Sequence, residues 1–299
     1  MAFLSPRRNS LARLWTEPRA PDGQFPLAFY TAAEFGRKSG MNIHPTAVVD
    51  TKAEMGSDVV IGPYCVIAED VRIGNSTELG PYVSIYSGTA IGNHCRFYGH
   101  ASVGTDPQDL KYNGEPTRLQ IGNRNVFREF VSINRGSHHG GGLTLIGDDG
   151  LFMAGSHVAH DGLVGNQVIF ANAATLAGHV TVGDHAQIGA FSAVHQFCRV
   201  GPHAFIGGFS VITRDALPYI KTVGDRNDAK IYGINTLGLQ RKGISAESIA
   251  QLQQLYRILF RSKLNTSDAI AKAAGTGWTA PEVAVLMEFI LSSKRGFIK

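Results

Sequence analysis

A mainly β fold, a parallel β-helix of hexapeptide repeats followed by a small α-helical C-terminal domain, is the class that the sequence predicts. Apolar residues return every six positions from Ile43 to Ile212, and the residue two positions before nearly all of them is small or β-branched. Glycine is abundant, with 35 among 299 residues, which suits a chain with many tight corners. After Pro218 the six-residue period stops, and from Ser245 the apolar spacing becomes helical.

The repeat consists of two series in which every sixth position is apolar. The first series is Ile43, Val49, Met55, Ile61, Ile67, Ile73, Leu79, Ile85, Ile91, Phe97, Val103, Ile121, Phe127 and Ile133. The second series is Ile146, Phe152, Val158, Val164, Phe170, Leu176, Val182, Ile188, Val194, Val200, Ile206 and Ile212. A period of six fits one flat side plus a corner, so three sides close a coil and 18 residues raise the chain by one strand spacing of about 4.8 Å.

Two positions before each apolar residue, a second side chain should also point inward because strand residues alternate. Small residues there suit a narrow interior, and Cys65, Cys95 and Cys198 all occupy this position. We therefore interpret the cysteines as buried filler rather than as nucleophiles, a disulfide framework or a metal site. Their free state predicts a reducing, cytoplasmic location.

Composition narrows the class of protein. Hydrophobic residues make up 43% and charged residues 17%, so the chain can bury a core. No stretch approaches the roughly 20 apolar residues that a membrane helix needs, so we expect a soluble protein without stable membrane insertion. The net charge of +4 suits an acidic protein partner and does not indicate nucleic-acid binding.

The sequence divides into three parts: residues 1–40 as an N-terminal extension, 41–220 as the β-helix and 221–299 as the helical domain. The extension is basic and lies outside the repeat. We expect it to be disordered, or Met41 to be the working start, with an organelle-targeting peptide as the alternative. In the last part, helices are expected after Ser245, after Asn265 and near Pro281.

Two polar insertions interrupt the repeat, at 105–118 and 134–145, and the register shifts by one residue across the second. Long loops on a rigid scaffold are where function concentrates. The second series carries the histidines His157, His160, His179, His185, His195 and His203. Because 160, 178 and 196 are 18 residues apart, we expect His160, the pair Gly178-His179 and the pair His195-Gln196 to stack along one edge.

This stack predicts acyl transfer without a covalent intermediate. A histidine next to a carboxylate, here His160 and Asp161, can act as a general base, and the backbone N–H of Gly178 can serve as an oxyanion donor. His185 and His203 are expected to be solvated. A zinc site formed by His157, His160 and His179 is the chemical alternative.

Six segments identify a family, namely QDLKYNGEPTR (108–118), INRG (133–136), GGGLT (140–144), HVAHD (157–161), ANAATLAGHV (171–180) and AVHQF (193–197). Together they resemble UDP-N-acetylglucosamine O-acyltransferases from about Met41 to Lys299. The resemblance implies a left-handed β-helix, although parallel crossovers are generally right-handed. It also implies transfer of a hydroxyacyl chain from acyl carrier protein to the sugar 3-hydroxyl, the first step of lipid A synthesis.

The resemblance assigns residue roles and partners. His160 would be the general base steadied by Asp161, and Gly178 the oxyanion donor. It further implies that the sugar and its phosphates are held by His157, Gln108, Asp109 and Lys111. His179, His195 and Gln196 would shape the nucleotide and acyl sites. Asn235 and Arg241 would bind the phosphopantetheine arm or the UDP group. It implies a homotrimer with the site between subunits. No metal and no cofactor are implied beyond the phosphopantetheine that carries the acyl donor.

Some positions depart from the family pattern. Asn134 stands where a histidine is often found, Leu237 replaces an acidic residue, and Lys242 replaces the second arginine of a pair. Relative to the family pattern, the segment between Pro218 and Asn235 is two residues longer. These changes leave the sugar open between UDP-N-acetylglucosamine and its 3-amino analogue. Gly208 stands where the family sets the depth of the acyl groove, and a glycine there predicts a longer chain.

Two other functions compete with this interpretation. The related N-acyltransferase of the same pathway carries an N-terminal uridine-binding domain, which residues 1–40 are too short to supply. A non-catalytic β-helix scaffold would use the trimer only for binding. It predicts that removal of the His160 imidazole changes nothing measurable.

Overall fold

The computed structural model describes residues 42–299, which form one compact unit. The expectations for residues 1–41 lie outside the described residues. Most of the described chain is a parallel β-helix with three flat sheets, and helices follow at its C-terminal end. No helix in this described part is long and apolar enough to cross a bilayer.

The strands are short, and most contain two residues, an outward one followed by an inward apolar one. Up to the second insertion they are β1 (Asn42–Ile43), β2 (Val48–Val49), β3 (Glu54–Met55), β4 (Val60–Ile61), β5 (Val66–Ile67), β6 (Arg72–Ile73), β7 (Glu78–Leu79), β8 (Ser84–Ile85), β9 (Thr89–Ile91), β10 (Arg96–Phe97), β11 (Ser102–Thr105), β12 (Arg118–Ile121), β13 (Val126–Phe127) and β14 (Ser132–Asn134). After it come β15 (Leu143–Ile146), β16 (Leu151–Phe152), β17 (His157–Val158), β18 (Leu163–Val164), β19 (Ile169–Phe170), β20 (Thr175–Leu176), β21 (Thr181–Val182), β22 (Gln187–Ile188), β23 (Ala193–Val194), β24 (Arg199–Val200), β25 (Phe205–Ile206), β26 (Val211–Ile212), β27 (Ile220–Val223) and β28 (Lys230–Ile234).

Every third strand of the β-helix joins the same sheet. Sheet I runs β1-β4-β7-β10-β13-β16-β19-β22-β25-β27-β28, sheet II runs β2-β5-β8-β11-β14-β17-β20-β23-β26, and sheet III runs β3-β6-β9-β12-β15-β18-β21-β24. The chain passes from sheet I to II to III and back to I, so the molecule has three corners, which we call I–II, II–III and III–I.

The predicted register is confirmed. Val158 pairs with Leu176, and Leu176 pairs with Val194, as the 18-residue spacing requires. Across the second insertion Ile121 pairs with Ile146, so the one-residue shift is absorbed by the loop and the inward row continues.

Aromatic and aliphatic side chains fill the interior beneath sheet I. Phe97, Phe127, Phe152 and Phe170 form a buried column with ring centroids 4.6, 4.7 and 4.9 Å apart. The three cysteines are free and buried, which confirms their interpretation as filler. Burial raises the pKa of Cys198 to about 11, so its thiol is unreactive at neutral pH.

Corners turn through residues in the left-handed region of backbone space. At corner II–III, Asp161, His179 and Phe197 have φ of 58°, 60° and 63°. Non-glycine residues rarely adopt this conformation, but here each corner is bonded to the next coil. The N–H of His179 donates to the carbonyl of His160 at 3.0 Å, and that of Phe197 to Gly178 at 3.2 Å.

A hairpin and four helices complete the chain. β27 and β28 pair antiparallel and extend sheet I, so the boundary predicted between residues 220 and 221 falls inside β27. The helices are α1 (Thr236–Arg241), α2 (Ala246–Phe260), α3 (Thr266–Ala274) and α4 (Pro281–Leu291). The three predicted helices are confirmed. Ser245 and Asn265 cap α2 and α3, whereas α1 was not predicted.

Candidate active site

Both insertions leave the β-helix at the same corner. The segment 105–118 joins β11 to β12, and 134–145 joins β14 to β15, so both connect sheet II to sheet III. His160 and Asp161 lie at corner II–III of the next coil, between β17 and β18. The fold therefore gathers both polar loops around the histidine that the sequence singled out.

The His160 imidazole is held by a buried carboxylate. Its Nδ1 lies 2.7 Å from Oδ2 of Asp161, whose side chain is only 2% exposed, compared with 12% for His160. Asp161 in turn accepts hydrogen bonds from the backbone N–H (2.9 Å) and the hydroxyl (2.6 Å) of Ser137. An anionic Asp161 accepting from Nδ1–H leaves Nε2 of His160 free to accept a proton.

Gly178 lies directly against the His160 ring. A methyl group at residue 178 would stand 2.6 Å from Cε1 and 2.8 Å from Nε2 of His160. A larger residue there would force the His160 ring to move. Gly178 is buried, and its N–H has no backbone acceptor within residues 42–299. The predicted stacking of residues 160 and 178 is confirmed, and a free N–H stands beside the candidate base.

Two further histidines, His157 and His179, lie near His160 and Gly178. His179 stacks on Phe197 with centroids 4.5 Å apart and meets the His160 ring edge-on at 5.1 Å. Nδ1 of His157 lies 2.7 Å from the hydroxyl of Ser132. Burial lowers the pKa of both His157 and His179, so both are neutral at physiological pH.

The 105–118 segment stands over this corner, and Asn134 and Arg135 secure it. Asn134 donates from Nδ2 to the hydroxyl of Thr105 (2.7 Å) and to the carbonyl of Asp106 (2.9 Å). Arg135 donates to the hydroxyl of Tyr112 at 2.7 Å. The asparagine that departs from the family pattern is therefore buried and ties down the loop.

The loop presents three candidate binding residues. Gln108 and Lys111 are exposed, and Asp109 is half-exposed. A hydrogen bond from the backbone N–H of Lys111 to the Asp109 carboxylate (3.0 Å) lowers the pKa of Asp109, and the nearby His160 imidazole acts in the same direction. Leu110, between them, is fully exposed.

Other predicted residues lie elsewhere in the chain. His195 and Gln196 occupy corner II–III of a later coil, with Gln196 exposed. Asn235 and the exposed Arg241 lie at the start and end of α1, where Asn235 Nδ2 donates to the carbonyl of His203 (3.4 Å) at corner III–I. Gly208 is exposed at corner I–II. One chain thus places His195 and Gln196 in the same corner column as His160. It does not bring Asn235, Arg241 or Gly208 to that corner.

The solvated state expected for His185 and His203 is wrong. The two rings stack at 4.4 Å, His203 stacks on Tyr219 at 5.6 Å, and both histidines are half-buried. Burial, together with His185 and Lys242, lowers the pKa of His203 to about 4. The α-helical region covers this corner, which periodicity alone does not show.

His160, Asp161 and His179 bring potential metal ligands within 4.8 Å of one another. Ligand bonds of about 2.0–2.1 Å in a tetrahedral zinc site separate the ligand atoms by about 3.3 Å. The 2.7 Å separation between His160 and Asp161 is instead that of a hydrogen bond, and Ser137 bonds to the same carboxylate. The geometry fits a base and its orienting acid better than a metal centre.

Sequence reasoning missed Ser137 and Ser132, which contact Asp161 and His157. It also missed Gly140, where a methyl group would stand within 2.3 Å of the Asp161 carboxylate. Ser137 and Gly140 lie in the 134–145 loop, where no periodicity operates, and Ser132 occupies an outward strand position. The 25-residue separation of Ser132 and His157, one coil plus the insertion, would have indicated their pairing.

The chain is similar to proteins of one enzyme family. A family model described as UDP-N-acetylglucosamine O-acyltransferase, domain 2, matches residues 215–298, and a bacterial transferase hexapeptide model matches 179–214. An acyl-[acyl-carrier-protein]–UDP-N-acetylglucosamine O-acyltransferase of Alkalilimnicola ehrlichii is 51% identical over 257 residues, covering 86% of this chain and 99% of the relative.

Solved structures give the same picture. The LpxA structure from Acinetobacter baumannii is 41% identical with a TM-score of 0.82, over 86% of this chain and 99% of that one. The UDP-N-acetylglucosamine acyltransferase of Arabidopsis is 36% identical with a TM-score of 0.72, over 86% and 100%.

Proposed function

The chain belongs to the UDP-N-acetylglucosamine O-acyltransferase family, with its left-handed β-helix, and we propose that it works by general-base catalysis at His160. It is an acyltransferase that moves an acyl chain from acyl carrier protein to the sugar of UDP-N-acetylglucosamine, the first step of lipid A biosynthesis. The observation that carries the mechanism is the His160 ring, held at Nδ1 by buried Asp161 and lying against Gly178.

The proton moves through Nε2 of His160. In the first step Nε2 takes the proton of the sugar 3-hydroxyl. At the same time the oxygen of that hydroxyl attacks the thioester carbonyl of the donor. The new C–O bond forms as the carbonyl becomes an oxyanion. In the second step the C–S bond breaks, and the imidazolium returns the proton to the departing phosphopantetheine thiolate. Asp161 stabilises the transient imidazolium and holds the ring.

The N–H of Gly178 is the donor that we assign to the oxyanion. It is buried, has no backbone acceptor within the described residues, and lies beside the imidazole that activates the nucleophile. A preorganised donor at the position of the developing charge typically contributes about 10²–10³ in rate.

Substrate groups fit the surrounding polar residues. We assign the sugar to His157 and Asp109 and the phosphates to Gln108 and Lys111, because these side chains border corner II–III. A lysine suits a diphosphate as a mobile charge. His179, His195 and Gln196 line the same column, and we assign them to the nucleotide and acyl sites.

A homotrimer would complete the site. Asn235 and Arg241, which we assign to the UDP or the phosphopantetheine arm, lie near corner III–I and not beside His160. A neighbouring copy that presents its corner III–I to corner II–III would bring them together.

Sheet II connects the catalytic corner to Gly208. Its outward side chains after His157 are Thr175, Ala193 and Val211. None of the three is large, and we propose that the acyl chain lies along this face. A methyl group at Gly208 would approach only the Ala190 carbonyl, at 3.3 Å, so the end of the path is open and suits a longer chain. A preference for the shortest donors would contradict this.

The His160→Ala variant tests the mechanism. We expect transfer to fall by at least about 10²–10⁴-fold while the thermal melt and oligomeric state stay unchanged. His94→Ala, at an exposed histidine of an earlier coil, is the matched control and should retain activity. Near-normal turnover in His160→Ala would refute the role of His160 as the general base.

Three other measurements test the remaining assignments. Assays with UDP-N-acetylglucosamine and its 3-amino analogue identify the acceptor. Activity-linked, stoichiometric zinc in the purified enzyme would overturn the metal-free mechanism. Fractionation tests the cytoplasmic location, which the three free cysteines support.

A further inference from the structure

We propose that Ser137 is a positioning residue that holds the Asp161 carboxylate in the orientation His160 needs. The inference rests on the proposed role of His160 and extends it to the 134–145 insertion. Ser137 contacts both carboxylate oxygens, through its N–H to Oδ1 (2.9 Å) and its hydroxyl to Oδ2 (2.6 Å). Two bonds from one residue define the plane of the carboxylate as well as its position.

The oxygen that accepts from the hydroxyl is also the one that meets the imidazole. Oδ2 lies 2.7 Å from Nδ1 of His160 and 3.7 Å from Nδ1 of His179. Two imidazoles therefore face one oxygen, and a small rotation about the Asp161 side chain would transfer the hydrogen bond from one to the other. The bonds from Ser137 oppose that rotation.

The backbone of Asp161 is fixed independently. Its φ is 58°, and its N–H donates to the hydroxyl of Thr144 at 2.8 Å. Thr144 lies at the end of the same insertion that carries Ser137 at its beginning. One loop thus holds both the backbone and the side chain of the aspartate.

Gly140 covers the remaining face of the carboxylate. A methyl group at this position would stand within 2.3 Å of Cγ and both oxygens of Asp161. Ser137 is 2% exposed and Asp161 is 5% exposed. The turn at His138–Gly140 therefore keeps water from the carboxylate and leaves Ser137 as its hydroxyl donor.

The Ser137→Ala variant tests the inference. We expect kcat to fall about 10-fold with KM changed less than about 2-fold, because the bond acts on the base and not on bound substrate. The acid limb of the kcat/KM profile should move to higher pH, since a carboxylate with one donor fewer favours the protonated imidazole. Ser137→Thr keeps the hydroxyl and should restore both kcat and the acid limb.

Controls separate positioning from structure. Ser156→Ala removes a buried hydroxyl that has no partner within the described residues, and it should leave kcat and the pH profile unchanged. If Ser137→Ala does not fold, Ser137→Cys, which is close in shape but a weak donor, takes its place. Lower thermal stability with an unmoved acid limb would overturn the inference.

The results for His160→Ala and Ser137→Ala together distinguish a failure of the role of Ser137 from a failure of the general-base mechanism. If His160→Ala keeps its activity, the general-base mechanism fails and Ser137 loses its proposed role. If His160→Ala is inactive but Ser137→Ala matches the wild type in kcat and pH profile, only the role of Ser137 fails.

Discussion

Two columns of histidines run along different corners of the same β-helix, and the comparison shows what makes one of them reactive. At corner II–III, His160 and His179 approach the buried carboxylate of Asp161, at 2.7 and 3.7 Å. At corner III–I, His185 and His203 stack on each other at 4.4 Å, and Nδ1 of His185 is buried without a partner among the described residues.

Both columns lie at corners of the same 18-residue coil, where His179 repeats the corner position of Asp161 and His203 repeats that of His185, so periodicity does not separate them. The difference lies in what covers each corner. Corner II–III receives two polar insertions that deliver Ser137 and Asp109, whereas α1 and Lys242, which follows it, lie near corner III–I. A histidine becomes a candidate base when a buried carboxylate lies beside it and a loop supplies the donors to that carboxylate. The same residue stacked against rings is a structural element.

Among the substitutions that test this comparison, Gly178→Ala should cause the largest loss of activity. The new methyl group would stand 2.6 Å from the His160 ring, so the imidazole must move away from both Asp161 and the oxyanion donor. We expect kcat/KM to fall by about 10²-fold or more. Steady-state assays check this, and activity near wild type would show that the ring and the glycine do not act together.

Parallel substitutions of His179 and His185 sharpen the comparison. Both residues have positive φ, 60° and 61°, which asparagine tolerates. His179→Asn should lower kcat about 10-fold, because His179 lies beside His160 and Asp161. His185→Asn should change kcat less than about 2-fold and lower the melting temperature instead. Equal losses of activity would remove the distinction between the corners.

The column of His185 and His203 should make the stability of the protein depend on pH in the acid range. The pKa of His203 is lowered from 6.5 to about 4 by burial, by His185 and by Lys242, while Asp184 and Glu282 oppose the shift and Tyr219 stacks on the ring. The unfolded chain therefore binds this proton first, and the contribution of His203 to stability, complete above pH 6.5, is lost as the pH falls toward 4.

The His203→Phe variant isolates that contribution, since phenylalanine already occupies the equivalent left-handed position at Phe209. The drop in melting temperature between pH 7 and pH 4.5 should be smaller by about 3 °C than in the wild type. Differential scanning fluorimetry at both pH values checks this, and an equal drop in both proteins would assign the acid sensitivity to other groups.

Much of the architecture follows from two local sequence patterns, the six-residue apolar repeat and the helix caps. The apolar residue at every sixth position determined the three sheets, their register and the stacking of His160 with Gly178, because each coil must bury its inward row against the next. Ser245 and Asn265 likewise determined where α2 and α3 begin, since a cap acts within one turn of helix.

Contacts outside the repeat were decided only by the tertiary structure. The bonds from Ser137 to Asp161 span 24 residues through an irregular loop, and no period relates the two positions. The burial of His203 depends on a hairpin and helix that return from residues 220–242 to cover its corner. The sequence by itself determined the periodic scaffold, since identical spacing repeats the same local energetics. The surroundings of each corner depend on how non-repeating segments pack, which only the folded chain decides.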